Sequence, residues 1–250
     1  MLDLVVITRA LAVGWAGRYS EARTALEAVL ARPGLAASRR TEANHYLAML
    51  ASANQDSDAA LRHAESALQC LRTQRRPPRK LEASVITALG AACSLQGRVA
   101  EADRHFAAAY ELQQALGQGS SAHAVTLLNN WAVINERAGD ARRAQELSER
   151  ALELAGRDGR SPFLLLNRAR ALESQGRCDE AEDGYNEAAA LAAERATVPA
   201  LMAAHLGLAS IQLVRGNLDG ARANLAHVDE VGAGVGLSPT HPQRVTRLWI

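Results

Sequence analysis

Six times along this 250-residue chain, a turn signal is followed five residues later by alanine. The signal is a glycine before a polar residue at Gly17-Arg18, Gly97-Arg98, Gly139-Asp140, Gly176-Arg177 and Gly216-Asn217, and Gln55-Asp56 fills the same place in another copy. The alanines are Ala22, Ala60, Ala102, Ala144, Ala181 and Ala221. Seven residues before each signal stands Ala10, Ala48, Gly90, Ala132, Ala169 or Ala209, and twelve after it Val29, Ala67, Ala109, Ala151, Ala188 or Val228. Glycine ends a helix cheaply because it adopts the left-handed conformation without steric cost. A second helix then runs back across the first, and a large side chain at the crossing would push the axes apart. Three small-residue columns in one register therefore predict helix-turn-helix repeats stacked side by side.

Bulkier residues follow nine positions after the turn: Leu26, Phe106, Tyr185 and Leu225. Ala64 and Ser148 hold that place in the second and fourth copies, which predicts looser packing there. Arg9 and Arg168 stand in a column otherwise filled by Leu47, Leu89, Trp131 and Leu208. Either the first and fifth copies are locally looser, or their register slips. Breaks between copies fall at Arg32-Pro-Gly34, Arg75-Arg-Pro-Pro78, residues 116–121, residues 156–162 and residues 232–236. Ser161 before Pro162 reads as a helix cap and first-turn pair. Each repeat must lean on its neighbours to bury its apolar face, so residues 1–250 read as one continuous array.

The pattern resembles the tetratricopeptide repeat (TPR): a small residue in the first helix, a turn glycine, then two small residues and a bulky one in the second. The fourth copy also resembles the kinesin-light-chain variety, through Thr126-Leu-Leu-Asn-Asn-Trp-Ala132, Ala138-Gly-Asp140 and Glu149-Arg-Ala-Leu-Glu-Leu154. This resemblance implies an all-α, right-handed α-solenoid of about six TPR-like helix-turn-helix repeats. They lie approximately at 3–37, 41–74, 83–116, 125–156, 162–195 and 200–231, with a C-terminal cap or partial repeat at 237–250. Turn sites are 38, 42, 42, 37 and 40 residues apart, longer than the family's usual 34. Longer second helices or longer joins must absorb the difference. Pro242 to Ile250 read as a partial helix folded back over the sixth copy, the alternative being that the chain continues into a larger regulatory protein.

Composition excludes several function classes. Alanine is about a fifth of the chain and aromatic residues only 4%, which favours close-packed helices over sheets. The net charge of +1 gives no footprint for nucleic acid or an anionic membrane. Arg72, Arg75, Arg76, Arg79 and Lys80 cluster between the second and third copies and read as a solvated join. Cys70, Cys93 and Cys178 have neither disulfide pairing nor zinc spacing, which suits a reducing cytoplasm. No signal peptide or membrane span is present in the pattern. Histidines at 45, 63, 105, 123, 205, 227 and 241 form no HExxH motif, no GxSxG occurs, and the glycines at 232–236 lack phosphate-loop spacing. The reading is of a chain that is not an enzyme and carries no cofactor and no metal.

A protein or peptide partner is the expectation that remains. In the family, partners touch the face of each first helix turned away from the second. That places His45, Tyr46 and Met49 of the second copy on the groove, next to Glu42. The fourth copy offers Asn129, Asn130, Glu136 and Arg137, and the fifth Asn167, Arg170 and Glu173. Asn130 and Asn167 are equivalent in register, and side-chain amides suit an extended peptide because each both donates and accepts. The competing assignment is that these asparagines brace neighbouring helices. The family's carboxylate clamp for chaperone C-termini needs lysine and arginine at set places over three copies, and with Lys80 as its only lysine, read as lying outside any first helix, this chain does not match it.

Overall fold

The computed structural model describes residues 2–15 and 18–234. Those residues form twelve helices: α1 (Leu2–Trp15), α2 (Tyr19–Leu30), α3 (Ala37–Ala53), α4 (Ser57–Arg72), α5 (Arg79–Leu95), α6 (Val99–Ala115), α7 (Ala122–Arg137), α8 (Ala141–Gly159), α9 (Pro162–Glu173), α10 (Cys178–Glu194), α11 (Val198–Val214) and α12 (Leu218–Gly234). They pack pairwise as six helix-turn-helix repeats, with no strand among the described residues. The Gly17 turn and the closing segment 237–250 lie outside the described residues. Two compact units divide within α7, after Leu127, and each is treated by itself. Nothing in the composition marks that division, which falls in mid-helix.

The turn column folds as its glycines require. Gly97, Gly139, Gly176 and Gly216 all have positive φ, from 70° to 84°. Gln55 adopts the same conformation, at φ 60°, although it has a side chain. At each of these turns the following N–H donates back across the helix end, as Arg98 does to the Cys93 carbonyl at 2.9 Å and Asp140 to Asn135 at 2.8 Å. These bonds satisfy carbonyls that the helix leaves unpaired.

The residue after the turn then starts the second helix in one of two alternating ways. In copies two, four and six it is Asp56, Asp140 or Asn217, whose side chain accepts from the backbone N–H three residues on at 3.0 Å. In copies one, three and five it is Arg18, Arg98 or Arg177, which pairs with Glu21, Glu101 or Glu180. The arginines cannot cap, so in those copies a glutamate in the first turn faces the positive helix end instead.

All three small-residue columns are buried. The six alanines after the turn are 0–2% exposed, and every residue twelve past it is 0% exposed. Leu26, Phe106 and Tyr185 fill the bulky column inside the core, while Leu225 is half-buried. The two aromatic rings are matched by glycines on facing first helices. A β-carbon on Gly90 would stand 3.1 Å from the Phe106 ring, and one on Gly207 would overlap the Tyr185 ring. Phe106 thus packs on its own repeat and Tyr185 on the next. In copy two Ala64 sits in a small cluster with Ala48, Ala88 and Leu89, and in copy four the buried Ser148 hydroxyl has no hydrogen-bond partner. Burying an unpaired hydroxyl opposes folding, so these two copies carry the weaker members of the column.

Register holds through both arginine positions. Arg9 is exposed beside buried Ala10, and Arg168 reaches Glu149 at 3.8 Å beside buried Ala169. The extra residues per repeat go into helices of 16–19 residues from α3 onward, α9 with its 12 excepted. Three local expectations need correction. The break at 232–236 begins inside α12, which runs on to Gly234. Ser161 caps α9 by position and Pro162 opens it, but the serine side chain makes no capping bond. The break at Gly156 is a kink inside α8, at φ 60°, because only glycine tolerates that geometry cheaply.

Gln55 bears a strain its glycine counterparts do not. Gln55→Gly is expected to raise unfolding free energy by up to about 1 kcal/mol, the left-handed penalty less glycine's greater chain entropy. Urea unfolding with an unchanged m-value measures it, and a lower midpoint would contradict the assignment.

Candidate functional site

The residues expected on the first-helix faces divide into those already engaged in holding the helices and those left open. In the first unit, α3 carries His45, Tyr46 and Met49. His45 is buried at 8% exposure, and its Nδ1 has no hydrogen-bond partner. Burial, with a smaller contribution from His123, lowers its pKa from 6.5 to about 4, so the ring is neutral at pH 7. Tyr46 lies beside it, ring centroids 5.3 Å apart, and both Tyr46 and Met49 are half-buried. Burial and the nearby Glu42 charge hold the Tyr46 proton more tightly than usual. Glu42 is itself bound to Arg39 at 2.6 Å. What this face offers to solvent is therefore the half-open Tyr46 and Met49, with His45 beneath them.

In the second unit, Asn167 of α9 donates its amide to the Asn129 side-chain oxygen of α7 at 2.7 Å. The equivalent positions Asn130 and Asn167 do not pair with each other; the bond is to the residue one place earlier. Glu173 accepts from the Tyr185 hydroxyl of α10 at 2.5 Å and from the Ser210 hydroxyl of α11 at 2.6 Å. One carboxylate thus ties three successive helices together. Burial first, then that hydrogen bond, keeps the Tyr185 phenol protonated far above its ordinary range. Asn130 and Glu136 are half-buried, and Arg137 and Arg170 are exposed. None of these four side chains has a hydrogen bond or ion pair among the described residues.

Several functional-looking contacts had no motif to announce them. The Tyr185–Glu173–Ser210 set joins residues 12 and 37 apart in sequence. A second recurrence links first to second helix within a repeat: Asn44 and His63 meet at 3.2 Å, and His205 and Asn224 at 2.9 Å. Both pairs are 19 residues apart and occupy the same two register positions with the residues exchanged. The separation could have been found by aligning copies two and six on their turns. The His205 ring also lies 4.2 Å from that of His227, tilted by 57°, and burial lowers the His205 pKa.

Chemistry finds little to build on among the described residues. No three His, Cys, Asp or Glu side chains come together as metal ligands do. Cys70, Cys93 and Cys178 are unpaired, and burial raises the Cys93 thiol pKa, which makes it less reactive. No described helix is long and apolar enough to cross a membrane.

Known proteins share this architecture. The family described as the MalT-like TPR region matches residues 41–247. Among solved structures, BtubC (BKLC) from P. vanneervenii is 20% identical with a TM-score of 0.68, covering 94% of each chain. The TPR-like repeats of a putative kinesin light chain from Podosopora anserina are 20% identical, TM-score 0.66, covering 80% of this chain and 97% of that one. A Rap protein complexed with competence and sporulation factor is 15% identical, TM-score 0.71, covering 87% of this chain and 59% of that one. At these identities the likeness shows the fold. A search of curated protein sequences gives no match.

Protonation of His45 links acid to the stability of its unit. Its folded pKa is depressed, so the unfolded chain binds the proton more readily. The contribution of neutral, buried His45 is full above pH 6.5 and is lost as pH falls toward 4. The complete loss is on the order of 3 kcal/mol. Urea midpoints measured between pH 7 and 4 should fall more steeply for the native chain than for His45→Leu. Parallel curves would contradict this origin.

Proposed function

The chain belongs to the MalT-like TPR family, and on that premise we propose that its first-helix faces hold an extended or helical segment of another protein in the cytoplasm. TPR domains are typically protein-interaction modules and TPR folds are usually non-catalytic. The finer reading rests on one observation. In the second unit, Asn129, Asn167 and Glu173 bond to neighbouring helices, while Asn130, Glu136, Arg137 and Arg170 keep their hydrogen-bonding capacity open. The first group makes the surface rigid, which lowers the entropy lost on binding. The second offers donors and acceptors to a peptide backbone and its side chains. Tyr46 and Met49 in the first unit add amphipathic and adaptable apolar contact.

A second reading is a regulatory or sensor array working with a bacterial kinase, transcriptional activator or signalling ATPase. It is favoured by the likeness to a Rap protein captured with competence and sporulation factor, a chain of which this one spans 59%. Reading the gene on both sides of residues 1–250 tests it. An effector module in the same frame supports this reading, and its absence from both sides and from the neighbouring genes counts against it.

The binding reading predicts the behaviour of Asn130→Ala, Asn167→Ala and Arg170→Ala combined. Capture of native partners, identified by mass spectrometry, should fall at least about tenfold while helical content is retained, since the open contacts of Asn130 and Arg170 are lost together with the Asn167 brace beside them and hot-spot truncations commonly cost more than 1 kcal/mol. Unchanged capture by a folded triple variant would sink the assignment.

A further inference from the structure

A second surface in the first unit, between the second helices α4 and α6, has the marks of a docking site. Two open pockets, of about 310 and 260 Å³, lie between α4 and α6. They share Leu68, Arg72, Leu89 and His105, so they form one groove. Its floor is α5, through Ile86 and Leu89, and Leu61, Leu68 and Leu71 of α4 form one wall. Leu61, Leu68 and Ile86 are only half-buried. The groove stands beside the repeat whose bulky column holds only Ala64, in a core cluster of small residues.

Charge around the groove is unbalanced toward one end. Two of its carboxylates are neutralised in place: Glu82 by Arg79 at 2.7 Å, and Glu101 by Arg98 at 2.6 Å. Glu65 remains as the unpaired acid on the rim. Against it stand Arg72 on the rim, Arg75 and Arg76 in the adjoining join, and Lys80 in the first turn of α5. All four are exposed, and none has a carboxylate within ion-pair distance among the described residues. Burial lowers the pKa of His105 on the facing wall, which leaves it largely neutral. Of these Arg72 lines the groove itself, and Arg75 and Arg76 stand in sequence between Gln74 and Pro77, which line it too.

We propose that this groove docks an acidic amphipathic helix of a partner protein. Apolar side chains of that helix lie against Leu68, Ile86 and Leu89, and its carboxylates meet Arg72, Arg75 and Arg76. The wall from Leu61 to Leu71 is eleven residues of helix, or roughly 15 Å along the axis, and so accommodates about three turns of a ligand helix. The opposite charges steer encounter and set orientation, while the apolar floor supplies contact area. A single-stranded nucleic acid fits less well, because no Phe, Tyr or Trp lines the groove for bases to stack on.

Three probes test it against the full chain by fluorescence anisotropy. One is a fifteen-residue helical peptide with leucines at i, i+3, i+4 and i+7 and glutamates elsewhere. The second has glutamine for every glutamate, and the third is a fifteen-nucleotide single-stranded DNA. The glutamate peptide should bind at least about tenfold more tightly than its glutamine twin at low salt. Arg72→Glu, Arg75→Glu and Arg76→Glu together should abolish that preference with circular dichroism unchanged, and the milder Leu68→Gln should weaken both peptides. The Asn130/Asn167/Arg170 triple variant should bind the glutamate peptide as the native chain does, which separates this groove from the first-helix faces. The proposal is overturned if the two peptides bind alike, if charge reversal leaves the preference intact, or if neither peptide binds. It is likewise overturned if DNA binds more tightly than the glutamate peptide and Leu68→Gln leaves DNA binding unchanged, which would mark a phosphate-polymer site.

Discussion

Everything else in this structure depends on how closely antiparallel helices can approach. At the crossings the chain places alanine, glycine or valine, and those positions are almost wholly buried in every repeat. Each such contact is small, since a methyl buries little area and gains little dispersion. Its effect is geometric. Close axes let the helices within each unit share an interior although only 4% of the residues are aromatic. Two of the large rings that do enter, Phe106 and Tyr185, are admitted by glycines opposite them.

That geometry explains how much of the fold could be read in the chain. Turn positions and crossing columns were legible because each copy faces the same steric demand, and the demand leaves few allowed residues. Gln55 was legible by register although its side chain disfavours its conformation. The kink at Gly156 and the uncapped Ser161 were not, because each is decided by one junction and has no counterpart in other copies. The division after Leu127 has no local signal at all.

The first-helix faces were legible as positions and much less as roles. Register named Asn129, Asn130, Asn167 and Glu173 together, yet it could not separate residues that bond to neighbouring helices from residues that stay open. The separation depends on contacts 12 to 38 residues apart, such as Asn129 with Asn167 and Glu173 with both Tyr185 and Ser210. In the same way, the arginines at the α4–α5 join read as an ordinary exposed charge run. Only the fold brings Arg72 to the edge of a groove lined by Leu68 and Leu89. Bracing and binding are complementary here: a side chain fixed between helices gives its open neighbours a stable position from which to meet a partner.

The most direct test of this account is a pair of substitutions on α10. Ala181 is 0% exposed at a crossing, and Ala190 is exposed on the same helix. If close approach governs the array, Ala181→Leu should lower unfolding free energy by about 1–3 kcal/mol or more, by forcing axes apart in an already filled interior. Ala190→Leu should stay within about 0.5 kcal/mol of the native chain. Equal tolerance of both leucines in urea unfolding would contradict the claim that the small-residue columns set the fold.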